Sequence, residues 1–130
     1  MNQVLLVDDD PIILLLHGHL VDQANLGDKR CDFYHGQAAL DYLDSQSDSE
    51  MRYLVLLDIN MPVLNGWGFL EALQTRSFRE QVQVAIVTSS INPEDRLMAS
   101  NYQQVISYLV KPISLQSLLG LKFLNISENI

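Results

Sequence analysis

A doubly wound α/β domain, in which helices cover both faces of a parallel sheet, is the fold class that the sequence predicts. Short apolar runs alternate with longer stretches of helical character, and this alternation occurs five times in 130 residues. The runs are apolar at nearly every position, as expected for strands that are buried on both faces. Strands separated by helices pair in parallel through right-handed crossovers, which place helices on both sides of the sheet.

Each predicted strand is an apolar run of four to six residues with polar or turn residues at both ends. Runs of this length between turn signals are typical of strands rather than of helices. The second of the five has the weakest pattern. The predicted strands cover residues 4–7, 31–35, 53–57, 82–87 and 105–110.

The stretches between these runs are predicted helices, and several carry residues that begin or end helices. Asn92 followed by Pro93 is typical of a helix start, and Ser114 is a suitable cap for the last helix. We expect Gly27 to close the first helix in a left-handed conformation, which glycine adopts without steric cost. The predicted helices cover residues 12–25, 37–45, 66–76, 93–102 and 114–124.

The length and the charge of the chain exclude several classes of protein. At 130 residues and 14.7 kDa the chain fits one domain, predicted to cover residues 1–130 with no output domain. The net charge of -8, with only eight lysines and arginines, argues against a nucleic-acid partner, because binding to phosphates depends on clustered basic residues. Cys31 is the only cysteine, so no disulfide forms within the chain.

The sequence also carries no membrane or export signal. Its longest apolar runs fall far short of the ~20 residues that cross a bilayer. The N-terminus lacks the basic and apolar segments of a signal peptide. We therefore expect a cytoplasmic protein with no membrane partner.

Polar side chains follow four of the predicted strands at the point where each strand ends. In open α/β sheets, functional groups collect at the carboxyl ends of the strands, beside the point where the strand order reverses. If strands 1 and 3 are neighbours, as in the order 2-1-3-4-5, the aspartates that follow them converge. The side chains at these strand ends are those of Asp8, Asp9, Asp10, Asp58, Thr88, Ser89 and Lys111.

Several carboxylates in one place require a counterion. Two carboxylates ~4 Å apart repel by about 4 kcal/mol at an effective dielectric near 20. With no histidine or thiol beside them, these oxygens suit a hard divalent cation, Mg²⁺ in particular. Lys111 adds an ammonium group and Thr88 a hydroxyl, both of which bind phosphoryl oxygens. Acids, a metal, a hydroxyl and a lysine together indicate phosphoryl transfer.

Four segments give the chain a resemblance to a known family. They are "LLVDDDP", "LLDINMPVLNG", "AIVTSS" and "YLVKP", and their order and spacing are highly specific. Over essentially its whole length the chain resembles the receiver domain of two-component response regulators. The resemblance implies a flavodoxin-like fold with strand order 2-1-3-4-5. It also implies a signalling module in which Asp58 accepts a phosphoryl group from a histidine kinase or a histidine phosphotransfer protein.

The resemblance implies a role for each residue around Asp58. Asp9 and Asp58 coordinate Mg²⁺ directly, and Asp8 acts through water. The backbone carbonyl of Asn60 completes the protein ligands. Asp10 is expected to cap the first helix, because aspartate is a favoured residue at helix starts.

The other implied residues act after the phosphoryl group arrives. Thr88 and Lys111 bind its oxygens, and movement of Thr88 opens space into which Tyr108 turns. This movement couples the chemistry to the surface formed by helix 4, strand 5 and helix 5. Asn60 and Ser90 lie at positions where members of the family vary the lifetime of the aspartyl phosphate. A receiver of this kind catalyses its own phosphorylation and dephosphorylation and is not otherwise an enzyme.

Two backbone features are expected beside the site. Gly66 closes the segment that begins at Asp58, and we expect it to allow either a positive φ or a close backbone approach. In the family the peptide bond that corresponds to Lys111–Pro112 is cis, a geometry available chiefly to bonds before proline.

The output of the predicted receiver has two forms. It signals to a protein target through the face of helix 4, strand 5 and helix 5, or it relays the phosphoryl group to a phosphotransfer protein. The same face is a candidate surface for a homodimer. The last helix, "SLQSLLGLKFLN", carries more apolar residues than one buried face requires. This surplus fits either an irregular helix end or a partner surface.

Two other functions fit parts of the pattern. Asp8 and Asp10 match the Asp-x-Asp motif of small Mg²⁺-dependent phosphatases that resemble the haloacid dehalogenase family, but the hydroxyl expected shortly afterwards is absent. A flavin-binding module of the same fold needs a phosphate-binding loop after strand 1, where three aspartates repel the phosphate. His17 and His19 are not predicted to bind a metal, because residues two apart on a helix do not face each other.

Overall fold

Five parallel strands and five helices alternate along the chain in a computed structural model, which describes the backbone of residues 2–128 and the side chains of residues 2–121. The strands follow the order 2-1-3-4-5 across one sheet, so the predicted flavodoxin-like α/β fold is confirmed. The strands are β1 (Asn2–Val7), β2 (Lys29–Phe33), β3 (Arg52–Leu57), β4 (Val82–Thr88) and β5 (Val105–Val110). The helices are α1 (Pro11–Ala24), α2 (Gly36–Ser45), α3 (Gly66–Gln74), α4 (Pro93–Ala99) and α5 (Leu115–Glu128), with a short 3₁₀ turn (Arg79–Gln81) before β4.

Most element boundaries differ from the sequence prediction by one to four residues, and two of these differences have a clear local cause. β2 lies two residues earlier than predicted, because the imidazole of His35 accepts a hydrogen bond from the amide of Ala38 (3.2 Å) and thereby begins α2. α4 ends at Ala99 rather than at residue 102. The amides of Asn101 and Tyr102 donate to carbonyl oxygens three residues earlier, which is a tighter turn than that of an α-helix.

Polar side chains fix the starts of three helices, as the sequence predicts. The carboxylate of Asp10 and the side-chain oxygen of Asn92 each accept a hydrogen bond from the amide two residues later, at 2.9 and 3.0 Å. The hydroxyl of Ser114 accepts from the amide three residues later, at 3.1 Å. The predicted end of α1 was wrong. Asn25, not Gly27, has the left-handed conformation (φ 53°), which asparagine tolerates because its short side chain bonds locally.

The sheet separates two apolar clusters, because alternate residues of a strand point to opposite faces. One cluster packs α2 and α3 against the sheet and includes Leu5 and Phe69. The other packs α1 and α5 against the opposite face and includes Leu6 and Leu118. All four side chains are at most 2% exposed, and burial of each stabilises the fold by roughly 1.5–3 kcal/mol. Packing in the two clusters fixes the positions of the strands, and the strands in turn fix the positions of the residues that follow them.

Part of the apolar surface of α5 is exposed. Leu115 and Leu119 are 37% and 45% exposed, whereas Leu118 between them is buried. The remaining surplus that the sequence predicts, at Phe123 and Leu124, lies outside the side chains that the structure describes. Within the described part of the chain, the structure contains no helix with the length and apolar character that crossing a membrane requires.

The loop after β3 folds back closely on itself at Gly66. A Cβ atom at this position would lie 2.6 Å from the Cα atom of Ile59, closer than a real side chain permits. The φ angle of Gly66 is not positive, so of the two expected reasons for this glycine the close approach is the one confirmed. The amide of Gly66 also donates to the carbonyl of Ile59 (3.1 Å). The loop is therefore held as a compact turn directly after Asp58.

Candidate functional site

The pairing of the strands brings the predicted polar residues to one edge of the sheet. Val7 at the end of β1 pairs with Leu57 at the end of β3, so Asp8 and Asp58 follow neighbouring strand ends. The amide of Asp58 continues the ladder by donating to the carbonyl of Val7 (3.0 Å). On the other side of β3, the amide of Lys111 donates to the carbonyl of Thr88 (2.7 Å), which joins the ends of β4 and β5.

Three carboxylates lie together at the ends of β1 and β3. Asp8, Asp9 and Asp58 each offer one ligand oxygen, and these oxygens lie within 4.8 Å of one another. Asp8 and Asp58 are buried, at 5% exposure each, whereas Asp9 is exposed. The three form the one group of metal-ligand type found among the described residues. A donor set made only of carboxylate oxygens, partly open to water, fits a hard divalent cation such as Mg²⁺.

Lys111 supplies the positive charge beside these carboxylates. Its Nζ donates to Oδ2 of Asp8 at 2.7 Å and lies 3.6 Å from Oδ2 of Asp58. The lysine side chain is 16% exposed, so its charge is screened less than that of a surface lysine. The Lys111–Pro112 peptide bond is cis, as expected.

Backbone amides orient the two buried carboxylates. The amide of Asp10 donates to Oδ1 of Asp8 (2.9 Å), and the amide of Asn60 donates to Oδ1 of Asp58 (3.1 Å). Burial raises the pKa of the Asp58 carboxyl above its ordinary value, since a charged group is poorly solvated there. The Asn60 amide and the Lys111 charge oppose this rise in pKa, whereas the charges of Asp8 and Asp9 add to it.

Thr88 lies at the end of β4 and is completely buried. Its Oγ1 accepts a hydrogen bond from the amide of Ser90 (3.2 Å). The side-chain amide of Asn60 donates to the same oxygen at 3.4 Å, near the limit for a hydrogen bond. Asn60 therefore contacts both sides of the site, through its backbone amide on Asp58 and its side chain on Thr88.

Tyr108 on β5 joins Ser90 to α4. Its hydroxyl donates to the backbone carbonyl of Ser90 (3.1 Å), and its half-buried ring lies under the guanidinium of Arg96, with Cζ 4.5 Å from the ring centroid. The hydroxyl of Ser90 in turn donates to Oδ2 of Asp95 (2.6 Å). Tyr108 and Ser90 were predicted from the sequence, whereas Arg96 and Asp95 were not, because no local signal in α4 shows which residues of the helix face β5.

The other polar residues near the strand ends lie outside the carboxylate group. Asp10 caps α1, as predicted. His17 is buried and His19 is exposed, so the two imidazoles do not form a pair. Burial lowers the pKa of His17, and the charge of Lys111 lowers it further, against the opposing effect of the Asp8 charge. His35 is used as the cap of α2.

Comparison with known proteins identifies the fold and the family. Residues 4–121 match the model of the response regulator receiver domain. A curated relative, the probable methanogenesis regulatory protein FilR2 of Methanothrix harundinacea, is 32% identical over 123 residues, which are 85% of this chain and 78% of that protein.

Two solved structures illustrate the likeness of the fold. A response regulator receiver protein from Dyadobacter fermentans superposes with a TM-score of 0.82 at 25% identity, covering 93% of this chain and 94% of that one. The receiver domain of the sensor histidine kinase PA1611 from Pseudomonas aeruginosa, which holds a magnesium ion in its active-site cleft, gives a TM-score of 0.77 at 21% identity over 96% and 97% of the two chains. By its family match and by its 32% identity to FilR2, the chain belongs to the response regulator receiver domains.

Proposed function

We propose that Asp58 accepts a phosphoryl group from the phosphohistidine of a histidine kinase or a histidine phosphotransfer protein. The observation that carries this proposal is that ligand oxygens of Asp58, Asp8 and Asp9 lie within 4.8 Å of one another, and that the ammonium of Lys111 lies 3.6 Å from Asp58. A receiver domain implies a cognate histidine kinase. This arrangement supports Asp58 as the carboxylate that such a kinase would modify.

The proposed step needs an ionised carboxylate that is held in place. One oxygen of Asp58 attacks the phosphorus while the bond from phosphorus to the donor's imidazole nitrogen breaks, and the electron pair of that bond stays on the nitrogen. The Asn60 amide holds Oδ1 of Asp58, which leaves Oδ2 facing Lys111. Lys111 and the amide both favour the ionised form that burial disfavours.

The residues present fit a magnesium ion. Asp9 and Asp58 would hold it directly, Asp8 through water, and the backbone carbonyl of Asn60 would complete the protein ligands. When bound, Mg²⁺ offsets the repulsion between the carboxylates and the incoming phosphoryl oxygens. Asp8 also positions Lys111. Its Oδ2 accepts a hydrogen bond from the lysine ammonium and so holds that group beside Asp58.

The proposed response to phosphorylation passes through the ends of β4 and β5. A phosphoryl group adds roughly -1.5 to -2 charge, which Lys111 and the hydroxyl of Thr88 are suited to bind. A shift of Thr88 would move Ser90, because the amide of Ser90 donates to the Thr88 hydroxyl. It would then change the contact of Tyr108, whose hydroxyl donates to the carbonyl of Ser90. Asn60 and Ser90 are the positions that we expect to set the lifetime of the phosphate. The phosphorylated chain then either signals to a protein target or relays the phosphoryl group to a phosphotransfer protein.

A small phosphatase is the competing function, and one contact argues against it. Its Asp-x-Asp motif would need Asp10 at the reaction centre, but Asp10 is exposed and its carboxylate caps α1. The carboxylates that do meet are Asp8, Asp9 and Asp58.

The test is phosphorylation by a small donor. The chain is incubated with Mg²⁺ and acetyl phosphate, and the modified residue is located by mass spectrometry under acidic conditions that preserve acyl phosphates. We expect a single phosphate on Asp58, none in Asp58→Ala, and unchanged labelling in the matched control Asp10→Asn. Labelling of Asp8, or undiminished labelling of Asp58→Ala, would refute the proposal.

A further inference from the structure

Within the part of the chain whose side chains are described, Arg96 is one of two basic residues that lie over an aromatic ring, the other being Lys29 over Tyr42. The guanidinium of Arg96 lies over the ring of Tyr108, with Cζ 4.5 Å from the centroid, inside the ~6 Å range of a cation–π contact. Among the residues whose side chains are described, Arg96 forms no ion pair, although three other arginines and Lys111 do. The aromatic ring is thus the contact that this exposed cation makes.

Tyr108 passes this contact on to the site. Its hydroxyl donates to the carbonyl of Ser90, and the amide of Ser90 donates to the buried Oγ1 of Thr88. The ring, residue 90 and the threonine hydroxyl are therefore joined by two consecutive hydrogen bonds. If the ring leaves, the carbonyl of Ser90 loses its donor, and residue 90, whose amide donates to Thr88, is held by one contact fewer.

A second connection comes from the same helix. The hydroxyl of Ser90 donates to Oδ2 of Asp95 (2.6 Å) and accepts from the amide of Asn92 (3.2 Å). α4 therefore holds the strand ends at two points: Asp95 holds Ser90 directly, and Arg96 holds it through Tyr108. Of these two contacts, the one made by Arg96 is the more exposed and the easier to break.

We propose that Arg96 is a positioning residue that keeps Tyr108 hydrogen-bonded to Ser90 and thereby sets the position of the Thr88 hydroxyl before phosphorylation. Its effect on the rate of reaction rests on the proposed function, because that rate exists only if Asp58 is the acceptor. The free energy of an exposed cation–π contact corresponds to about a two- to five-fold change in the population of the conformer that it stabilises, here the one with Tyr108 bonded to Ser90. We expect the rate of phosphorylation to fall by that factor when the contact is removed.

The kinetic test is a double-mutant cycle with acetyl phosphate and Mg²⁺. We expect Arg96→Gln to slow labelling of Asp58 about two- to five-fold, and to have no effect in the Tyr108→Leu background. The matched control is Arg79→Gln, which removes one arginine charge before β4, at the opposite edge of the sheet. An equal slowing in both backgrounds would mean that Arg96 only attracts the anionic donor, and it would overturn the proposal, as would no slowing at all.

A second measurement does not depend on the reaction. In isotope-labelled, unphosphorylated protein, nuclear Overhauser effects between the Tyr108 ring and Ser90 report the position of the ring. We expect them to weaken at least two-fold in Arg96→Gln and to persist in Arg79→Gln. Persistence in Arg96→Gln contradicts the positioning role. Failure of Asp58 to become labelled would count against the proposed function and would leave this spectroscopic result as the test of Arg96.

Discussion

The carboxylates at the ends of β1 and β3, with the lysine that follows β5, are charged groups at fixed positions and form what we call the carboxylate end. The neutral hydroxyls of β4, of β5 and of the loop after β4, which are joined to a helix, form the hydroxyl end. At the first, Asp8 and Asp58 are each held by a backbone amide and by contact with Lys111. At the second, Thr88 and Tyr108 are joined through Ser90 alone. Charges need fixed partners because an unpaired buried charge is costly. Hydroxyls tolerate exchange of partners at about 1 kcal/mol each.

This difference suggests a division of labour between chemistry and response. Groups that stabilise a reaction must be in place before it begins, since reorganisation during the reaction adds to the barrier. Groups that report a reaction must change position for a small free energy. The carboxylate end therefore suits the proposed chemistry and the hydroxyl end the proposed response. Variants at Lys111, Thr88 and Asp58 test this comparison, and a variant at Tyr102 tests a contact outside both ends.

The largest effect is expected at Lys111, which serves the carboxylate end. Lys111→Met leaves the two buried carboxylates without their cation, so we expect phosphorylation by acetyl phosphate to slow about a hundredfold. In Mg²⁺-free buffer we expect the free energy of unfolding, measured by urea denaturation, to fall by about 3 kcal/mol. Lys29→Met, at an exposed lysine over the ring of Tyr42, is the control. Equal losses of rate and of stability in both variants would show that the contact of Lys111 with the carboxylates has no special effect.

The next effect is expected at Thr88, which serves the hydroxyl end. Thr88→Val keeps the shape of the side chain but leaves the amide of Ser90 without its acceptor, at a cost of about 1–3 kcal/mol in urea denaturation. We expect phosphorylation to slow about tenfold, because the hydroxyl no longer meets the phosphoryl oxygens. Thr88→Ser retains the hydroxyl and should retain most of the rate. A Thr88→Ser variant as slow as Thr88→Val would show that a hydroxyl at this position does not sustain the rate, and it would contradict this role of Thr88.

A smaller effect of opposite sign is expected at Asp58 itself. Without Mg²⁺ its ionised form is disfavoured by burial and by the charges of Asp8 and Asp9, which is the reason that its pKa is raised. Asp58→Asn removes that charge and should raise the midpoint of urea denaturation at neutral pH. Because a raised folded-state pKa destabilises only the ionised form, the gain should disappear below pH ~4, where the acid is protonated in both states. A variant less stable than the wild type at neutral pH would contradict the account of the site.

The smallest effect is expected at Tyr102, whose hydroxyl donates to Glu71 on α3 (2.7 Å) and whose ring stacks on Trp67. Burial and then the Glu71 contact raise the pKa of this hydroxyl to about 12. Since the unfolded chain ionises near pH ~10, the stability due to this group is present below that pH and is lost as the pH rises from ~10 towards 12. Ultraviolet titration should show a tyrosine that ionises late and is absent in Tyr102→Phe. Unchanged titration in that variant would show that the late tyrosine is another one.

The carboxylate end was largely predictable from sequence, and the hydroxyl end only in part. Asp8, Asp58 and Lys111 directly follow apolar runs, so the position of each in the fold is set by the strand before it. Asp10 and Asn92 cap helices through bonds to amides two residues away, which local sequence determines.

The rest depends on contacts between distant parts of the chain. Arg96 meets Tyr108 only because α4 ends at Ala99 and packs on β5, and no residue near Arg96 in the sequence specifies this arrangement. Burial of His17 depends in the same way on packing of α1. Asn25 has the left-handed conformation predicted for Gly27 because the helix ends before the glycine is reached, and both residues favour that ending.

The pairing of Val7 with Leu57 has a consequence for how the site could be lost. A shift of β3 by one residue against β1 would move Asp58 by ~3.3 Å and turn its side chain to the other face of the sheet. Every acid would still be present in the sequence, and the three oxygens would no longer meet. The apolar residues of the core thus hold the three carboxylates in place, and substitutions that touch no polar atom can separate them.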